Sequence, residues 1–75
     1  MGAMLVRHEP ISASMVRRQL ALDLDLHGID ENTVSEVTLV ASELVSNAVR
    51  HGGVEGIDEL DVTWTFTRDE ILLCV

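Results

Sequence analysis

The chain has 75 residues and a formal charge of −8, with thirteen acidic residues against five arginines and no lysine. A chain this short forms one domain at most and buries only about 60% of the surface it exposes unfolded, so its stability margin is thin. The acidic balance argues against a phosphate backbone as partner, and 47% hydrophobic residues with a mean hydropathy of +0.24 argue against disorder.

In chain order, Met1 to Met4 reads as a cloning remnant before a native start, with no part in the fold. Leu5 and Val6 are a short apolar patch, and Pro10 after it allows an edge strand at most. Ser12 is a good helix N-cap. Ala13, Val16, Leu20, Leu24 and His27 then recur at three- and four-residue steps, which predicts a helix that Gly28 stops. The alternation of Leu22, Asp23, Leu24, Asp25 and Leu26 is a competing strand signal.

A second helix opens at Asp30 or Asn32, with Glu31 and Glu36 toward the positive end of its dipole. Its apolar stripe is Val34, Val37, Ala41, Leu44, Val45 and Ala48, and Gly52 and Gly53 end it. Leu39 falls on the other face, which predicts partial cover there too. Val54 to Glu59 reads as a loop. Leu60, Val62, Trp64 and Phe66 alternate with Asp61, Thr63, Thr65 and Thr67, the pattern of a one-sided strand. Arg68, Asp69 and Glu70 turn the chain into Ile71 to Val75, whose unbroken apolar run predicts a strand covered on both faces. The expected fold is an α/β (α+β) two-layer sandwich.

The chemistry concentrates on the second helix. Glu43 and Asn47 are four apart and Arg50 follows by three, so all three lie within an arc of about 60°, with His51 one residue further. A carboxylate there can accept a proton from a hydroxyl or water. The neutral amide oxygen of Asn47 suits magnesium, and Arg50 and His51 suit phosphate or ribose oxygens. By spacing alone, the plainer reading of these residues is a solvated helix face.

The run Glu43-Leu44-Val45-Ser46-Asn47-Ala48-Val49-Arg50-His51-Gly52-Gly53 closely resembles the N-box of GHKL, or histidine-kinase-like, ATPase domains in bacterial anti-sigma-factor serine/threonine kinases. Ser14 to Leu20 resembles that family's first helix, and Val37 to Ser42 its approach to the box. The resemblance implies a Bergerat-type fold with helices on one face of a mixed sheet, ATP and magnesium as cofactors, Glu43 as general base and Asn47 as the metal ligand. It implies a sigma factor and an anti-anti-sigma protein as partners, and a role in transcription regulation. It also places a D-x-G-x-G adenine turn after Val75, so residues 5 to 75 read as a truncated domain with negligible ATP affinity unless another chain completes the pocket. Unpaired strand edges would then favour a homodimer.

Two other readings belong to different classes: a non-catalytic dimerising interaction module, and a GHKL ATPase in which Glu43 activates water. Other residues read as structural. Trp64 and Phe66 are core, and Ser12 is a cap. Arg17 and Arg18 are solvated, and His8 and His27 are isolated. Cys74 has no disulfide or metal partner, and no window is apolar enough for a membrane span, so the expected location is cytoplasmic.

Overall fold

The structure is a computed structural model and describes residues 2–51, 59–67 and 70–75. Its elements run β1 (Gly2–Arg7), α1 (Ile11–Leu26), α2 (Glu31–Arg50), β2 (Glu59–Phe66) and β3 (Ile71–Cys74). The strands form one sheet in the order β1-β2-β3, and both pairings are antiparallel. Two helices packed with this sheet give an α+β two-layer unit.

β1 starts earlier than the apolar patch alone indicates. Gly2, Ala3 and Met4 pair with Trp64, Thr63 and Val62, so the segment read as a remnant is half of the first strand. Gly2 has a packing reason to be there: a Cβ on it would overlap the indole of Trp64. Inward Met4 and Val6 alternate with outward Ala3, Leu5 and Arg7, and Arg7 sits opposite Glu59 across the ladder.

α1 begins without a side-chain cap. Pro10 is the N-cap residue and makes no side-chain cap bond, and Ser12 is buried with its hydroxyl donating to the Arg7 carbonyl at 2.6 Å. Ser12 therefore ties the helix start back to β1 rather than capping it. Val16, Leu20 and Leu24 have no exposed surface. The helix runs through the Leu22 to Leu26 alternation and stops at Gly28, whose φ of 73° is left-handed.

α2 is capped by Asp30, whose carboxylate accepts from the Thr33 N–H at 3.2 Å and from the Thr33 hydroxyl at 2.7 Å. These two bonds, the hydroxyl's first, hold the Asp30 carboxyl below its usual pKa range. The buried line of the helix is Thr38, Ala41 and Val45, with Val34 partly covered. It is rotated from the expected stripe: Leu44 is 40% exposed, while Thr38 is buried with its hydroxyl donating to the Val34 carbonyl at 2.7 Å. A threonine satisfied by its own helix is compatible with the core, which a purely apolar pattern does not register. Leu39 is 59% exposed, so the opposite face is open rather than partly covered.

β2 behaves as its alternation predicts, with Val62 and Trp64 buried and Thr63 exposed. β3 does not have two covered faces. Ile71 and Leu73 are half-buried toward the helices, whereas Leu72 and Cys74 are exposed on the bare side of the sheet. The β2–β3 connection is closed by Thr67 and Glu70: the Thr67 N–H donates to the Glu70 carbonyl at 2.8 Å, and the Glu70 N–H donates to the Thr67 hydroxyl at 2.9 Å. The glycines at 52 and 53 and the expected loop lie largely outside the described residues; the loop's last member, Glu59, is the first residue of β2.

Candidate functional site

α2 carries every candidate residue except His51, which is its C-cap and whose N–H donates to the Asn47 carbonyl at 2.9 Å. The helix buries the line through Thr38, Ala41 and Val45. At 100° per residue, Glu43 and Asn47 then stand at the opposite pole, about 180° from that line. Both are exposed, as are Arg50 and His51. The two candidate side chains therefore share a face with no apolar cover among the described residues.

The grooves beside α2 show where this face lies relative to the sheet. Thr33 and Val37 meet Phe66 and Ile71 in one, of about 560 Å³. Val37 and Val40 meet Ile71 and Leu73 in the next, of about 290 Å³. Moving up α2 thus moves along β3 in the same direction. Glu43 and Asn47, one and two turns beyond Val40, lie toward the C-terminal end of β3. On the far side of the helix end, Ser46, Val49 and Arg50 line a shallow groove of about 270 Å³ with Pro10. None of these three grooves is lined by Glu43 or Asn47.

One contact links two of the candidates. Arg50 Nη2 donates to Asn47 Oδ1 at 3.0 Å, a bond between exposed side chains three residues apart. Spacing alone shows that these residues can meet, and the coordinates add which amide atom is engaged: the oxygen, the only metal-binding atom of that side chain. Among the described residues no three of His, Cys, Asp and Glu gather as a metal cage. A magnesium ion at Asn47 Oδ1 would draw its other ligands from phosphate and water, the usual coordination of that ion in phosphate-transfer sites. The residues present fit that arrangement.

The structure also contains a polar cluster that sequence reasoning missed. Trp64 Nε1 donates to Asp23 Oδ2 at 2.6 Å. His27 Nδ1 lies 2.8 Å from the Asp23 carbonyl, and the carbonyl can only accept, so that ring nitrogen carries the proton. The His27 ring also packs on Phe66 at a centroid distance of 4.6 Å. The isolated His27 of the sequence is thus a clasp between the end of α1 and β2. The available signal was an aspartate on the core side of an otherwise apolar helix stripe. His8 has a buried Nδ1 with no hydrogen-bond partner among the described residues. No helix among the described residues is long and apolar enough to cross a membrane.

The fold is thus an α+β unit with an exposed pair, Glu43 and Asn47, on the last turns of its second helix. The family model for the histidine kinase-like ATPase domain matches residues 6–75, and the chain belongs to that family. No curated protein and no solved structure matches the chain.

Proposed function

We propose that the chain is the N-box part of an ATP-binding, anti-sigma-type serine/threonine kinase domain that acts in the bacterial cytoplasm to regulate transcription. Membership of the histidine kinase-like ATPase family supports ATP as the nucleotide. The observation that carries the reading is the exposure of Glu43 and Asn47 on one pole of α2, with no described residue packed over them. Asn47 Oδ1 would hold magnesium, which when bound neutralises phosphate charge and fixes the triphosphate. Arg50 and His51 would meet phosphate or ribose oxygens.

Glu43 would then take the proton of a serine hydroxyl on an anti-anti-sigma partner. The serine oxygen bonds to the γ-phosphorus, the bond from that phosphorus to the bridging oxygen breaks, and ADP leaves. A sigma factor is the second protein partner in this reading. Where phosphoryl transfer is measured, Glu43→Gln abolishes turnover and leaves nucleotide binding largely intact. Equal loss of both would remove Glu43 as the base.

The family match favours a second reading to the same degree: an ATPase in which Glu43 deprotonates water instead of serine. Phosphate release without a protein acceptor would select it. We further infer a homodimer, because among the described residues β1 and β3 each pair on one side only, which leaves ladder groups for another copy. Light scattering at high concentration is expected to give twice the chain mass, and a monomeric mass would refute this.

A further inference from the structure

Resting on the homodimer inferred above, we propose that its interface is the outer face of α1, laid antiparallel on the same face of a second copy. Away from the buried line of Val16, Leu20 and Leu24 runs a ridge of four exposed apolar side chains, Ile11, Met15, Leu22 and Leu26. At 100° per residue they fall within an arc of about 60°. Single apolar residues on a surface need no account, but four aligned on one helix face form the kind of surface that a partner helix packs against.

The symmetry of the ridge identifies the partner. Ile11 and Leu26 lie equally far along the chain from the midpoint between Arg18 and Gln19, and so do Met15 and Leu22. Turned antiparallel on itself, the ridge sets Ile11 against Leu26 of the partner subunit and Met15 against Leu22 of the partner subunit, and a two-fold axis makes each contact twice. The polar middle matches too. Arg18, which can only donate, meets Gln19 of the partner subunit, whose amide oxygen accepts. Charge permits the approach: the chain carries −8 overall, but Arg18 and Asp25 stand on one edge of the ridge on opposite sides of its midpoint, so the antiparallel arrangement turns unlike charges toward each other. Beside the ridge, Met4 of β1 shares a groove of about 430 Å³ with Ile11, Met15 and Leu22. β1 is an edge of the described sheet, so its unpaired ladder groups fall at this interface and those of β3 do not.

The test measures mass by light scattering over a concentration series of the whole chain. Met15→Arg and Leu22→Glu each set a charge against apolar side chains, and each is expected to weaken dimerisation at least about tenfold. Mixed in equal amounts, the two variants place the new arginine against the new glutamate at one contact and keep Met15 against Leu22 at the other. Dimerisation of the mixture is expected to recover to within about threefold of the unaltered protein. Leu39→Glu, on the outer face of α2, is expected to leave the mass unchanged. A dimer that ignores both single substitutions, or a mixture no more dimeric than its components, overturns the α1 interface and leaves the homodimer standing. A monomeric unaltered protein removes the homodimer itself, and the interface with it.

Discussion

Trp64 is the largest fully buried side chain, and its one polar atom is satisfied by Asp23 from 41 positions away. A buried indole N–H without an acceptor costs about 1–3 kcal/mol. Asp23→Ala should therefore lower unfolding stability by roughly that amount in urea titrations, whereas Asp23→Asn keeps an acceptor and should lose less. Equal losses in the two variants would mean that the carboxylate contributes by something other than accepting from Trp64. The burial of Trp64 was legible in the sequence, because it alternates with threonines. Its partner was missed: read as an alternation with leucines Asp23 looks solvent-facing, whereas the helical period puts it on the core side, where it meets the indole across 41 positions. The candidate site was legible for the opposite reason. Glu43, Asn47 and Arg50 lie on one helix, where spacing alone fixes their relative direction.

Among the elements, α1 and α2 were readable from their apolar periods and from Gly28 and Asp30 at their boundaries. Their finer placement depended on partners far away in sequence. The burial line of α2 passes through Thr38 and leaves Leu44 40% exposed, because a threonine bonded to its own helix carbonyl suits the contact with α1 and the sheet. β3 reads as doubly covered from composition alone, yet only its Ile71 and Leu73 face is packed, since both helices lie on one side of the sheet. Leu20 and Leu39 separate these environments. Leu20 has no exposed surface, and Leu20→Ala is expected to cost about 2–5 kcal/mol. Leu39 is 59% exposed, and Leu39→Glu is expected to change stability by no more than about 0.5 kcal/mol. Denaturant midpoints would check both, and a large loss for Leu39→Glu would show that the outer face of α2 is covered in solution.

At the scale of the whole molecule, a small core formed where α1, α2 and one side of the sheet meet leaves one face of the last turns of α2 open to solvent. Function in this account belongs to that outer pole. Packing cannot explain Glu43 and Asn47, since neither is buried; the proposed nucleotide site is what would give their spacing meaning.

The central claim is that a metal-bound triphosphate lies against Glu43 and Asn47. It is tested most directly by titrating the labelled chain with magnesium and ATP and mapping the perturbed NMR signals. The account predicts weak, magnesium-dependent shifts concentrated at the C-terminal end of α2 and at the end of β3, and lost in Asn47→Ala. Shifts that survive that substitution, or that cluster at the other end of the helix around Asp30 and Thr33, would contradict it.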